Sequence, residues 1–186
     1  MKKDLRVIKT KKNLQTALLT LLKEKPLEKV SISELCREAN VNRGTFYLHF
    51  QDVPELFEMY FKEITIDLKK AYYEPLHLTN NHLSHLEPHM VRIFHHVKTF
   101  DTFYSIVFNR KAPLMYYYNL FDIIRDYLKH SIEENTPAIS SLHPDYTASY
   151  QANAILGMII EWVSRGFQET PEFLSEQLLL MNNKIR

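Results

Sequence analysis

The 186-residue sequence predicts an all-α fold. Hydrophobic residues make up 45% of the chain, which is enough for a packed core. Glycine occurs only three times, and long stretches are rich in leucine, lysine, glutamate and isoleucine, a composition that favours helices over a turn-rich β architecture. Apolar residues also recur at three- and four-residue spacing. We therefore expect helices throughout and no substantial sheet.

The composition also indicates the cellular compartment of the protein. A single cysteine, Cys36, cannot form a disulfide within the chain, and the first residues lack the apolar run of a signal peptide. The longest apolar stretch, residues 154–160, is too short to span a bilayer. We expect a cytoplasmic protein that does not enter the membrane.

The net charge of +1 hides a local excess of positive charge at the N-terminus. In the first twelve residues Asp4 is the single acid, and the basic residues are Lys2, Lys3, Arg6, Lys9, Lys11 and Lys12. A disordered basic arm that follows a polyanion has this composition, because neutralising phosphates releases counterions. An ordinary solubilising tail has it too, and charge alone does not separate the two.

The first helix is predicted to begin with Thr10 as its N-cap and to end near residues 23–25. Pro26 stops it, and residues 27–30 form a short apolar connection. Its buried face is predicted from one set of apolar residues at helical spacing: Leu14, Ala17, Leu18, Leu21 and Leu22.

A second helix is predicted from a capping box formed by Ser31 and Glu34. In this motif the hydroxyl accepts an amide proton from the first turn while the carboxylate returns to the cap amide. Asn40 suits the left-handed conformation that ends a helix. The residues expected to be buried are Ile32, Leu35, Cys36 and Ala39.

The third helix is predicted from Arg43 to about Phe50, with Asn42 as its N-cap. Phe46 and Phe50 mark its inward face. The remaining side chains are polar but scarcely charged: Arg43, Thr45, Tyr47 and His49. A helix that only needed solubility would carry glutamate and lysine, whereas hydrogen-bonding groups with one arginine suit contact with phosphates and base edges.

A fourth helix is predicted over residues 52–73. Asp52 and Glu55 form another capping box, and Pro54 is tolerated in the first turn. One apolar stripe runs along this helix through Phe57, Tyr60, Phe61, Ile64 and Leu68.

Two short helices joined by a three-residue turn, with a longer helix on each side, make a helix-turn-helix. In this motif the first helix of the pair crosses the DNA backbone and the second lies in the major groove. The geometry predicts a protein that binds double-stranded DNA.

The run SISELCREANVNRGTFYLHF, residues 31–50, resembles the signature of the TetR/AcrR family of repressors. The match extends over about residues 6–56, with capping, turn and aromatic positions in register. The resemblance implies a helix-turn-helix DNA-binding domain over residues 1–50 and a helical effector-binding and dimerisation domain over residues 51–186. Helix 52–73 would connect them.

The resemblance also implies which residues touch DNA. Arg43, Gly44 and Thr45 would meet base edges or nearby phosphates. Tyr47 and His49 would hold phosphates. Contacts at the starts of the second and third helices would come from Ser31, Ser33 and Asn42.

Two positions depart from the family pattern. Members usually carry glycine where this chain has Asn40, and often lysine where it has Val53. The second change removes a phosphate contact, which should weaken nonspecific affinity and its salt dependence. Basic residues at the N-terminus could compensate for the lost phosphate contact.

The remaining chain is predicted to hold four further helices. A linker covers Pro75 and the Asn- and His-rich residues 80–88. The helices are predicted over residues 90–108, 114–132 and 145–167 and from Pro171 through Met181, with Pro113 interrupting between the first two.

The last two helices are predicted to form a twofold interface. The centre of the first, residues 154–160, is apolar nearly all round, so it must be covered on most sides. Gly157 costs about 1 kcal/mol relative to alanine, which suggests close approach of another backbone. The interface is predicted from Leu156, Ile159, Ile160, Phe173 and Leu178. The alternative is that this helix is the central helix of a monomer.

Aromatic residues are more numerous in this half than a minimal core needs: Phe103, Tyr104, Phe108, Tyr116, Tyr117, Tyr118, Phe121 and Trp162. We expect a small-molecule pocket lined by Tyr104, Phe108, Tyr117, Phe121 and Trp162. A plain core is the alternative. Residues 103–108 and the last two helices also resemble dihydroxyacetone-kinase-regulator-like members, a likeness that identifies no effector.

The expected function is sequence-specific transcription regulation, by a repressor that a small-molecule effector releases from a palindromic operator. An effector-independent DNA-binding or partner-binding protein is the alternative. No glycine-rich phosphate loop, nucleophile elbow or pair of catalytic acids is present, so we expect neither an enzyme nor a cofactor.

A metal protein is the remaining alternative. Its basis is the cluster His82, His85, His89, His95 and His96. Pro88 interrupts the run, and no nearby carboxylate or thiolate pattern completes a zinc site. We therefore expect no metal.

Overall fold

The computed structural model describes residues 2–79, 87–110, 112–135 and 142–184. Within these ranges the chain forms nine α-helices and no strand, which confirms the all-α prediction. The helices in chain order are α1 (Lys2–Leu22), α2 (Ile32–Glu38), α3 (Arg43–Tyr47), α4 (Val53–Leu78), α5 (Ile93–Thr99), α6 (Asp101–Val107), α7 (Met115–Asn135), α8 (Pro144–Ser164) and α9 (Pro171–Lys184). No helix in the described ranges is long and apolar enough to cross a membrane.

The chain divides into two compact units, Met1–Ile64 and Thr65–Arg186. The boundary therefore falls inside α4, the helix predicted to connect the two domains. The division of the chain at residue 50 stays a prediction.

The first unit packs α1 against α2 and α2 against α3 around one apolar core. Its fully buried side chains include Leu14, Leu18, Leu35, Phe46, Leu56 and Ile64. Removing such side chains from water is the main stabilising contribution in a unit of this size. A hydrogen bond of 2.7 Å from Gln15 Nε2 to Glu63 Oε2 also joins α1 to α4.

The second unit is built around α8. Helix α7 packs along α8, α6 packs against α8, and α5 packs against α6 and α9. The largest buried side chains of this unit are Trp162, Tyr104, Phe94, Phe103 and Leu120. The Trp162 indole donates a 3.0 Å hydrogen bond to the Glu169 carbonyl, so this aromatic ring is buried with its polar group satisfied.

Helix α1 begins earlier than predicted. The expected N-cap at Thr10 is wrong, because the helix runs back to Lys2 through the basic segment. Leu5 and Ile8 are 63% and 61% exposed, so tertiary packing does not explain this extension. Lysine, leucine and arginine all have high helix propensity, which extends the helix where no breaker intervenes.

Two other boundaries differ from the prediction. Helix α4 continues through Pro75 to Leu78 rather than ending near residue 73. Burial of Leu76, which is 3% exposed, offsets the hydrogen bond that the proline removes. The helix predicted over residues 90–108 is broken at Phe100, whose φ and ψ of −109° and 32° are not helical.

Candidate nucleic-acid interface

Ser31 is the N-cap of helix α2. Ser31 has an extended backbone, and its hydroxyl accepts a 3.3 Å hydrogen bond from the Glu34 amide. This half of the predicted capping box is confirmed. The Glu34 carboxylate instead accepts a 2.5 Å hydrogen bond from Lys25 Nζ, and that bond lowers the pKa of Glu34. Ser31 and Ser33 are both exposed, so the start of α2 is open to a ligand.

The turn between α2 and α3 depends on Asn40. Its φ of 51° is the predicted left-handed conformation, and the next amide, of Val41, donates a 2.9 Å hydrogen bond to the Cys36 carbonyl. The turn closes α2 and sends the chain directly into α3.

Asn42 caps α3 as predicted. Its Oδ1 accepts a 2.8 Å hydrogen bond from the Gly44 amide. A Cβ at position 44 would lie 3.3 Å from the same oxygen, which is tighter than an ordinary contact. Glycine at this position therefore keeps the cap unstrained and leaves the backbone uncovered at the start of the helix.

Helix α3 has one face in the core and one face outside. Phe46 and Phe50 are 0% and 3% exposed, as predicted. Tyr47 is 52% exposed, and its ring meets Phe46 edge-on with 5.6 Å between centroids. His49 is half-buried against Phe50 with 6.3 Å between centroids. The core phenylalanines thus support two side chains of the outer face.

The predicted DNA-binding residues lie together in the first unit. Asn42, Arg43 and Gly44 are exposed at the start of α3, and Thr45 is half-buried. Burial raises the pKa of the Cys36 thiol in α2, and the positive charge of Arg43 opposes that shift. Sequence reasoning missed Leu48, which is 79% exposed directly after Tyr47. Its polar neighbours gave no signal that a leucine would face outward.

The start of α4 carries no positive charge at its first residue. Val53 is 3% exposed and belongs to the core of the first unit. The cap is Asp52, whose carboxylate accepts a 2.8 Å hydrogen bond from the Glu55 amide. Where the family pattern has a lysine, this chain therefore has a valine that packs into the core.

The basic segment forms one exposed side of α1. Arg6, Lys9 and Lys12 are exposed, and Lys11 Nζ lies 5.9 Å from the centroid of the Phe50 ring. Because Phe50 follows α3 by three residues, this contact puts the third turn of α1 beside the end of α3. The segment is helical and not a disordered arm.

The predicted pocket residues form two stacked pairs and one separate ring. Tyr104 stacks on Phe108, and Tyr117 stacks on Phe121. Trp162 packs instead against Phe94 and Phe167. Tyr104 and Trp162 are each 1% exposed, whereas Phe108, Tyr117 and Phe121 are half-buried.

The predicted interface residues divide by burial. Leu156, Ile159 and Leu178 are covered inside their own unit, with exposed fractions of 1%, 1% and 9%. They therefore have little exposed area to offer a second chain, and their part in the interface stays a prediction. Ile160 and Phe173 are exposed.

Sequence reasoning missed Tyr146 and Tyr150, which extend the exposed side of α8. Tyr146 and Tyr150 are 78% and 57% exposed, and Ala154, Gly157 and Ile160 continue the same side at helical spacing. A Cβ added at Gly157 would meet nothing within 4 Å among the residues that the structure describes. The glycine therefore serves no close contact with any of them.

The histidine cluster divides among different partners. His82 and His85 lie outside the described residues. His89, His95 and His96 pair with three different carboxylates, those of Glu87, Glu172 and Asp67. The described part of the chain contains no group of three or more side chains that could hold a metal ion.

Family comparison covers both parts of the chain. A TetR-type model described as "Transcriptional regulator C-terminal region" matches residues 84–184. A second model, "Bacterial regulatory proteins, tetR family", matches residues 15–59. A curated relative from Bacillus subtilis (strain 168), the uncharacterized HTH-type transcriptional regulator YxbF, is 24% identical over 163 residues. That match covers 87% of this chain but only 42% of the relative.

Solved structures share the fold. The dihydroxyacetone kinase operon activator DhaS has a TM-score of 0.64 at 21% identity, covering 92% of this chain and 93% of its own. NalD, the secondary repressor of the MexAB-OprM multidrug efflux pump in Pseudomonas aeruginosa, has a TM-score of 0.61 at 18% identity with the same coverage. The fatty acid degradation regulator FadR from Bacillus halodurans has a TM-score of 0.63 at 12% identity, covering 91% and 92%.

Proposed function

The chain belongs to the TetR family of bacterial transcriptional regulators, and we propose that it represses transcription by binding a palindromic operator as a homodimer. Members are DNA-binding transcription factors, so the protein is not an enzyme. Two relatives of similar fold act in opposite senses, one named as an operon activator and one as a repressor. Repression is the sense in which we propose this protein acts.

The outward face of α3 carries the proposal. Phe46 packs this helix onto the core, and Arg43 and Tyr47 are exposed on its outward face, where they can contact a partner. In the proposed complex Arg43, Gly44 and Thr45 contact base edges or adjacent phosphates in the major groove. Tyr47 and His49 contact phosphates.

The start of α2 supplies the neighbouring contacts. Ser31 and Ser33 are exposed hydrogen-bonding groups at the start of α2, and Asn42 is exposed at the start of α3. Such contacts fix the register of a protein on the duplex without reading its sequence.

A homodimer follows from the recognition geometry and from the exposed side of α8. One helix of five residues reaches only a few bases, and twofold symmetry presents a second copy to the other half of a palindrome. The stripe through Tyr150, Gly157 and Ile160 is an exposed surface of α8 that a second copy would cover, and the exposed Phe173 of α9 is a further proposed interface residue.

The regulatory part of the proposal is a small-molecule effector bound among the aromatic side chains of the second unit. Tyr117 and Phe121 are half-buried, and the Tyr117 hydroxyl already donates to Asn153 Oδ1. Partly covered rings with a few polar groups are typical of small-molecule sites. The effector would favour one position of α4 and so change operator affinity.

The test begins with selection of bound fragments from the source genome, followed by affinity measurement on the recovered operator. Arg43→Ala should weaken specific binding by roughly 1–3 kcal/mol and relax the preference at one base pair. Arg92→Ala, an exposed arginine of the second unit, is the matched control and should bind normally. Unchanged affinity and sequence preference for Arg43→Ala would contradict its proposed role.

The effector is tested separately. Operator affinity is measured with and without candidate compounds at fixed salt, because phosphate contacts make affinity salt-dependent. Release by one compound supports the sensor. Constant affinity with every compound would leave an effector-independent DNA-binding protein.

A further inference from the structure

Three hydrogen-bonded side chains join three helices of the second unit. His96 of α5 places Nδ1 2.9 Å from Asp67 Oδ2 of α4, and its Nε2 lies 2.9 Å from the Tyr104 hydroxyl of α6. The imidazole and Tyr104 are each 1% exposed, whereas the Asp67 side chain is 49% exposed. The buried imidazole of His96 thus lies between a solvent-exposed carboxylate, that of Asp67, and a buried hydroxyl, that of Tyr104.

The neutral ring satisfies every group in this trio. A carboxylate only accepts hydrogen bonds, so Nδ1 carries the single proton of the neutral imidazole and donates it to Asp67. Nε2 is then the acceptor, and the Tyr104 hydroxyl donates to it. Burial lowers the pKa of His96 below its ordinary 6.5, although the Asp67 carboxylate opposes that shift.

A protonated ring cannot keep the same pattern. Both ring nitrogens then donate, so the Tyr104 hydroxyl must accept from Nε2 and its own proton is left without a partner in a dry site. The positive ring is drawn toward Asp67 and water instead. The two charge states therefore favour different positions of α4 relative to α6.

Other charged groups around α5 have their own partners. Glu172 of α9 lies 2.9 Å from His95, and Asp101 of α6 pairs with Lys98. Phe100, whose ring centroid is 4.9 Å from that of His96, is uncharged. Asp67 is thus the charged partner of His96 among the described residues.

We propose that Asp67, His96 and Tyr104 form a proton-gated latch: the neutral His96 ring bonds both α4 and α6, whereas the protonated ring releases Tyr104 of α6 and is held more strongly by Asp67 of α4. Helix α4 also contributes residues 53–64 to the first unit. The latch therefore biases operator affinity, a consequence that rests on the proposed function.

The first test follows the latch without DNA. In the full-length protein, NMR titration between pH 5.5 and 8 should show His96 titrating below 6.5, with the α4 amides after residue 64 shifting at the same midpoint. Asp67→Asn removes the opposing charge, so the His96 midpoint should fall. Tyr72→Phe is the matched control, because it removes a different tyrosine hydroxyl of α4, 3.2 Å from Ser131 Oγ. Its His96 midpoint should equal that of the wild type.

The second test measures operator affinity over the same pH range at constant salt. The part of the pH response that belongs to His96 is the difference between the wild type and His96→Gln. That part should change affinity at least fivefold between pH 7.5 and 5.5, the lower end of typical coupling between sites. His96→Gln should abolish that change. Tyr104→Phe should bind operator at every pH with the affinity that the wild type has at pH 5.5. This variant replaces His96→Gln in the test if His96→Gln does not fold.

Two results would overturn the latch: α4 amides that do not follow the titration of His96, or a pH response that survives unchanged in Tyr104→Phe. Failure of the proposed function gives a different result. In that case no variant binds operator at any pH, while the α4 amides still follow His96.

Discussion

Asn40 occupies the position in the first unit where backbone conformation most restricts side-chain choice. Its φ of 51° lies in the left-handed region, which asparagine tolerates because its short polar side chain can hydrogen-bond locally. The residue separates α2 from α3, so any change in its backbone conformation alters the direction of α3.

Substitution at this position should follow backbone preference. Asn40→Ala should lower the free energy of unfolding by about 1–2 kcal/mol, because a Cβ without a compensating polar group is strained in this region. Asn40→Gly should be at least as stable as the wild type, since glycine adopts positive φ freely. Urea unfolding measures both, with Glu38→Ala as the exposed control. Equal stabilities for Asn40→Ala and Asn40→Gly would show that the turn imposes no such strain.

His96 should also make folding stability depend on pH. Its pKa is lowered in the folded state, so as pH falls below about 6.5 the unfolded chain binds this proton first. The free energy of unfolding should therefore decrease as pH falls from 6.5. Urea unfolding at several pH values checks this, and His96→Gln should have a smaller slope. His95→Gln is the neighbouring control. An equal slope in His96→Gln and wild type would contradict the prediction.

At the scale of elements, α1 carries its positive charges near its N-terminus, where they are unfavourable. Basic residues near a helix N-terminus oppose the helix dipole, and the exposed Leu5 and Ile8 show that packing does not offset this cost. A bound polyanion would offset it. The exposed row of Arg6, Lys9 and Lys12 therefore fits phosphate contact better than simple solubility.

The salt dependence of operator binding tests that surface. Changing Arg6, Lys9 and Lys12 to glutamine should reduce the slope of log affinity against log salt by about 0.9 for each phosphate that the variant no longer neutralises. The control changes the exposed residues Lys70, Arg92 and Arg110 of the second unit. It lowers net charge equally and should leave the slope close to that of the wild type. Equal slopes for the two triple variants would assign the segment to solubility.

Local signals predicted the start of α2, the start of α3 and the turn between them, because these features depend on neighbours in sequence. Ser31, Asn40 and Asn42 each act on backbone groups within a few residues, so their caps and turn could be inferred without the fold. The course of α4 through Pro75 could not, because burial of Leu76 depends on residues far away in the chain. The break at Phe100 has the same origin, since apolar spacing is similar on both sides of it.

The side of α8 that is exposed could not be predicted for a related reason. Its central residues are apolar on all sides, so spacing could not show which side faces the protomer. The structure buries Leu156 and Ile159 and exposes Tyr150, Gly157 and Ile160. Packing of α7 along α8 decides between these sides, and that packing depends on tertiary structure.

At the scale of the whole molecule, the exposed side of α8 bears on assembly. Gly157 is exposed, and a Cβ added there meets nothing within 4 Å among the described residues, so Gly157→Leu should leave the protomer folded. In the proposed homodimer the same side chain would separate two closely packed helices, so sedimentation should show weaker self-association. Asn119→Leu, at an exposed position of α7, should associate normally. A Gly157→Leu protein that associates as tightly as the wild type would place the interface elsewhere.

Cys36, the single cysteine of the sequence, is buried in the first unit, and burial raises the pKa of its thiol. It therefore reacts slowly with alkylating and oxidising reagents, which require a thiolate. A cysteine introduced at Tyr146 or Tyr150 would be the fast-reacting thiol in the chain. Spin labels or fluorophores could then report the spacing between two copies without first replacing the natural residue.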